Sequence, residues 1–309
     1  MKRTGIALWV AAGLAVALFI EQTVLADSDL LTLRYVANFV QIAAVSIGVM
    51  YLKRLAVHDI NGPLPDPIML VISGLAALCL WAFGLWLMDG FNHVLEESAG
   101  LLSMPESMLA LSDSILGLDT QSAVYELHIL FAVVLIPLVQ SWLLFGLVQP
   151  DLAASVGRRR AMWITGLVAG LFLTLTAIQN VRPALQSGLG SFGGYLLIAY
   201  AAALTVYLSG SPWTGFAVLT TFNYATLRWS DDLFHEFLGK GYLDVSWLTV
   251  IVFGSLGAVI MLQVLRFQIV RPSEPAQSRG GLLVRVGLPL LILAAALLIL
   301  ILVDLQARG

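Results

Sequence analysis

Asp89, His93 and Glu97 follow one another at four-residue steps in the stretch WLMDGFNHVLEES, where a strongly apolar run gives way to polar residues. If the helix implied by that run continues past Asp89, the three side chains stack on one face. A column of carboxylate, imidazole and carboxylate can hold a transition metal or pass protons along it. The same step recurs in RWSDDLFHEFLGKGY, as Asp231 and His235. A third acid and imidazole, Glu126 and His128 in VYELHILF, are only two apart, so on a helix they point in nearly opposite directions. At most one of those two easily serves a shared site. Of the four histidines, only His58 stands apart from these outer, acid-flanked stretches.

Imidazole suits borderline metals, and a neighbouring carboxylate either completes the ligand shell or orients a ring. Asp89, His93, His128, Asp231 and His235 are therefore candidate ligands for zinc, copper or iron, with Glu97 or Glu126 as a general base. The spacing DxxxH is much less specific than HExxH, in which one helix supplies two ligands and a base. Its weight comes from coincidence of depth. The competing explanation is solvation of helix ends, and Arg228 with Asp232 and Glu236 with Lys240 are indeed ordinary i,i+4 pairs.

The elements that must carry these residues are apolar helices. Hydrophobic residues make up 59% of the 309 and charged residues 11%, far below the roughly 25% of soluble domains. Nine runs reach the length of about 20 residues that crosses a bilayer as a helix: 5–25, 33–52, 67–88, 124–147, 161–181, 190–208, 213–229, 245–265 and 284–304. The fold expected is an all-α polytopic membrane bundle forming a single transmembrane domain without a soluble domain. Val24-Leu25-Ala26 resembles a signal-peptidase site, and cleavage there leaves eight spans. The two DxxxH pairs are four spans apart, so their helices run parallel, as in a weak parallel repeat relating 67–150 to 213–304.

A cytoplasmic N-terminus places 11 of the 16 basic residues inside, among them Lys53, Arg54 and Arg158 to Arg160. It also leaves 15 of the 19 acids on the outer half, puts the C-terminus outside and puts the acid–histidine stretches on the periplasmic side of a bacterial inner membrane. The net charge of −3 argues against a nucleic-acid partner, which needs a basic patch. The lone cysteine, Cys79, excludes an intrachain disulfide and reads as a packing residue.

Polar residues inside the spans narrow the choices further. Glu21 and Gln41 fall within or near the ends of the first two, and Gln140 and Ser141 read as interhelical hydrogen-bond partners. The seventh span, with Thr220, Thr221, Asn223, Tyr224, Thr226 and Arg228, must face protein or water. Arg182 and Arg228 read as snorkelling helix-end residues, and the glycines of 187–195 as close packing. Residues 104–118 suit an interfacial amphipathic helix, 270–281 a polar linker, and the last span a lipid-facing anchor.

Three functions fit this pattern. One is a membrane metalloenzyme acting on a lipid, quinone or small apolar molecule. A proton- or cation-coupled transporter or channel is the second, although the acids lie at the rim rather than the midplane. The third is a scaffold subunit whose acidic rim docks a basic periplasmic partner or other membrane subunits.

Overall fold

The structure, a computed structural model, describes residues 31–99, 129–180, 185–237 and 245–269, together with Ile6, Trp9, Val10, Gly13 and Leu127. Within those ranges the side chains of 88–99, 175–192 and 228–251 fall outside the description, as do a few others. Every described element is helical, and no strand occurs among the described residues. In chain order the helices are α1 (Leu31–Lys53), α2 (Val57–Asn61), α3 (Pro67–Ala99), α4 (Leu130–Val156), α5 (Arg158–Asn180), α6 (Leu185–Ser209), α7 (Pro212–Phe237) and α8 (Val245–Ile269).

Seven of the nine apolar runs fall on these helices. The runs at 5–25 and 284–304 lie outside the described residues apart from four positions, two of which, Ile6 and Val10, are buried in the core. The amphipathic stretch 104–118 and the linker 270–281 also lie outside. Among the described residues two helices are long and apolar enough to cross a membrane, Tyr35–Lys53 and Leu130–Val156. Shorter apolar helical stretches occur at Pro67–Trp81, Gly193–Ser209 and Val252–Val264. Nine spans is thus a count read from sequence, of which the described helices support two by length and composition.

Local chemistry explains where the two helices that carry the acid–imidazole pairs begin. Asp66 Oδ1 accepts the Ile68 N–H at 3.0 Å and Pro67 occupies the first helical position, where its missing N–H costs nothing. Ser211 and Pro212 repeat the device at α7, with the Trp213 N–H donating to Ser211 Oγ at 3.4 Å. Both helices outlast their apolar runs. α3 extends from residue 88 to Ala99 and α7 from 229 to Phe237, so Asp89, His93, Glu97, Asp231 and His235 all sit on continuous helix. α4 likewise runs past its predicted end at 147 and stops at Val156, where Gly157 takes φ 88°, a left-handed conformation that favours glycine.

α4 is not a uniform α-helix. Residues Leu130–Leu135 and Trp142–Val148 widen to i→i+5 hydrogen bonding, and each widened segment ends within two residues of a proline, Pro137 or Pro150. The ring of a proline clashes with the carbonyl four residues back, and an added residue in the preceding turn relieves that crowding. The Ile136 N–H accordingly donates to Phe131 O instead of Ala132 O, and the Gln149 N–H to Leu144 O.

α3 is the hub, packing against α6, α7 and α8, while α5 packs on α6, and α1 and α7 flank α4. Close approaches depend on missing side chains: Gly254 of α8 lies directly on the Cys79 carbonyl of α3, and Gly170 of α5 on Leu196 of α6. Outward faces are apolar. On α5, Trp163, Ile164, Leu167, Val168 and Leu171 are all exposed, at spacings that keep them on one side of the helix.

Candidate functional site

The α3–α7 seam sets the relative position of the two DxxxH pairs. Trp81 Nε1 donates to Thr226 Oγ1 at 3.1 Å, and a Cβ built on Gly74 would lie 2.9 Å from Thr221 Oγ1. Contacts that advance together along both chains require parallel helices, in agreement with the order of the spans. They also fix the stagger: residue 74 is beside 221 and 81 beside 226, offsets of 147 and 145, whereas Asp89 to Asp231 and His93 to His235 are offsets of 142. The pairs therefore differ in height by three to five residues, about one helical turn at ~1.5 Å per residue.

The described side chains offer no substitute. Among them, no group of three or more His, Cys, Asp or Glu is placed to hold a metal ion. The side chains of Asp89, His93, Glu97, Asp231 and His235 are not in that set, and Glu126 and His128 lie outside the described residues altogether, as do Glu21 and Arg182.

The polar residues of the spans turn mainly into the protein. Ser141 Oγ donates to Pro212 O at 2.6 Å, tying the middle of α4 to the start of α7. Asn223 Nδ2 donates to Ala132 O at 2.9 Å. That carbonyl is the one passed over when the Ile136 N–H shifts to Phe131, so α7 supplies the donor that the widened turn withdraws. Gln140 is buried beside Ser141, and Gln41 is half-buried on α1.

Sequence reasoning did not find a second polar locus, at the opposite end of the bundle. There α2, the end of α4, the start of α5 and the α6–α7 turn border a half-open cavity of about 340 Å³, lined in part by Asp59, Gln149, Arg158 and Tyr207. These residues come from four separate stretches, none with a motif. The signals that were available are Arg158 in the basic run RRR and the paired turn residues Gly62 and Gly210, at φ 60° and 73°.

No family model, curated protein or solved structure matches this chain. The class that fold and placement define is an all-helical bundle with membrane-length apolar helices and acid–imidazole pairs one turn apart in height on two parallel, contacting helices.

Proposed function

We propose that this is a polytopic inner-membrane protein with a metal site at its outer rim, assembled at the α3–α7 seam from Asp89, His93, Asp231 and His235, with His128 as a further ligand. The observation that carries the reading is the stagger of α3 against α7, set by the Trp81–Thr226 hydrogen bond, which leaves the two pairs about a turn apart in height. The exposed apolar faces of α5 and of α1, where Val40 and Ile47 are 54% and 65% exposed, supply the surface that lipid would cover.

Zinc, copper or iron suits a mixed imidazole and carboxylate shell. Such an ion would activate water or oxygen, and the substrate class is a lipid, quinone or small apolar molecule reaching the seam from the bilayer. Glu97, one turn beyond His93, or Glu126 serves as the base. The placement of the acids at the outer rim rather than the midplane speaks against a transport path.

Elemental analysis of the detergent-purified protein tests the proposal, with His93→Ala and His235→Ala in parallel and their folding checked by circular dichroism and gel filtration. The expected result is about one metal per chain in the wild type, as one shared site demands, and loss of it in both variants. Trp81→Phe, which removes the donor that fixes the stagger, is expected to weaken metal binding by about tenfold without abolishing it. No metal above background after reconstitution with zinc, copper and iron in turn would sink the reading in favour of proton-coupled transport or a scaffold subunit. Full metal content in either histidine variant would break the link between the two pairs.

A further inference from the structure

We propose that the cavity between α2, α4, α5 and the α6–α7 turn binds the zwitterionic head of an aminoalkyl phosphate, with Arg158 on the phosphate and Asp59 and Gln149 on the ammonium. The proposal is independent of the metal site, which lies at the opposite end of the bundle.

The cavity is built rather than incidental. Gly146 allows α2 to approach α4 so closely that a Cβ there would lie 2.6 Å from the Ile60 carbonyl, and Gly62 at φ 60° sits against Pro212, with a Cβ only 3.0 Å from its Cδ. Gln149, at the end of the second widened turn of α4, and Arg158, which opens α5 after the Gly157 turn, line the same mouth. A volume near 340 Å³ falls within the range of small-molecule sites, about 300–1,000 Å³.

Its polar groups select the ligand. Arg158 Nη2 donates to Tyr207 O at 3.3 Å and its guanidinium lies 5.6 Å from the centre of the Tyr207 ring, so the cation is held in one place with N–H groups to spare. Arg159 and Arg160 follow it in the first turn of α5, where the helix dipole also favours an anion. Gln149 is only 6% exposed. Its Nε2 donates to Ala203 O at 3.2 Å, which leaves Oε1 as a buried acceptor with no partner among the described residues. Asp59 lines the same space. The guanidinium attracts an anionic group, while Asp59 and the Gln149 acceptor attract a cationic one, so together they suit a ligand that carries both charges on a short chain. Ile60, Phe145 and Pro212 complete the wall with apolar surface for the attached carbons. A phosphatidylethanolamine headgroup and a free aminoalkyl phosphate share this chemistry.

The test uses the full chain in maltoside micelles. Native mass spectrometry counts bound phosphatidylethanolamine, and thermal unfolding is followed in a titration with O-phosphoethanolamine; the phosphocholine counterparts, which lack ammonium N–H donors, are run in parallel. Saturable binding of one ethanolamine compound per chain is expected, weaker by about tenfold or more in Arg158→Ala and in Gln149→Met, each checked for folding. Arg158 is exposed, so its variant tests the site even where Gln149→Met fails to fold. Binding of the lipid alone identifies a headgroup site, and binding of the soluble compound identifies a site for a free metabolite. Absence of saturable binding in either form, equal binding by Arg158→Ala, or equal binding of the choline forms would overturn the proposal.

Discussion

Gly254→Val is expected to destabilise the protein by about 1–3 kcal/mol or more, because even the first carbon of the new side chain meets backbone. A Cβ at residue 254 falls on the carbonyl oxygen of Cys79, which cannot rotate away as the end of a side chain would, so α8 must lift off α3. Separating them loses dispersion contacts along the whole seam. A Cβ at Gly257, one turn on, would lie 2.9 Å from the Cys79 Sγ, a movable atom, and Gly257→Ala should cost less. Gly48 on α1 is the opposite case: nothing lies within 4 Å of its Cβ position, and Gly48→Ala should gain about 0.5–1 kcal/mol from helix propensity alone. Thermal unfolding of the three variants in one detergent checks the order. A Gly254→Val midpoint equal to that of the wild type would mean that α3 and α8 do not pack at this distance.

Asn223→Leu is expected to cost about 1–2 kcal/mol, and the loss should depend on a proline elsewhere in the chain. Pro137 has no N–H, and its ring crowds the preceding turn of α4, so the Ile136 N–H moves to Phe131 O and Ala132 O turns to Asn223. Leucine at 223 fills similar space and leaves that carbonyl without its donor. Pro137→Ala restores an N–H and allows the turn to tighten, whereupon Ile136 can bond to Ala132 and Asn223 is no longer needed. The double variant should therefore lose less than the two single variants together, with a coupling of about 0.5–1 kcal/mol in a denaturation cycle. Strict additivity would show that the widened turn and the Asn223 bond are unrelated.

Much of the architecture was legible because it is local. Seven apolar runs mark helices, since side-chain character and the period of the backbone are properties of neighbouring residues. The boundaries at Asp66-Pro67, Ser211-Pro212 and Gly157 are equally local in origin, although the structure was needed to identify them. The ends of those runs mislead, however. α3, α4 and α7 continue eight to eleven residues beyond them, because hydropathy registers where a helix leaves an apolar environment and hydrogen bonding decides where it stops.

The candidate site was half legible. Four-residue spacing puts Asp89, His93 and Glu97 on one helix face, and the order of spans makes α3 and α7 parallel, both from sequence alone. Their contact and their stagger depend on Trp81 meeting Thr226 and on Gly74 making room for Thr221, pairs separated by about 145 residues that no periodicity connects. The basic-end cavity was not legible at all. Asp59, Gln149, Arg158 and Tyr207 become neighbours only when three turns meet.

By itself the sequence determined that the described residues form apolar helices and which positions share a face, since these follow from composition and a period of 3.6. Which faces touch was decided by tertiary structure, through glycines that admit a neighbour's backbone and through side chains that answer a displaced carbonyl. The physical reason is range: helix formation is settled within a few residues, whereas register between helices is settled by close-packed contacts between residues far apart in the chain.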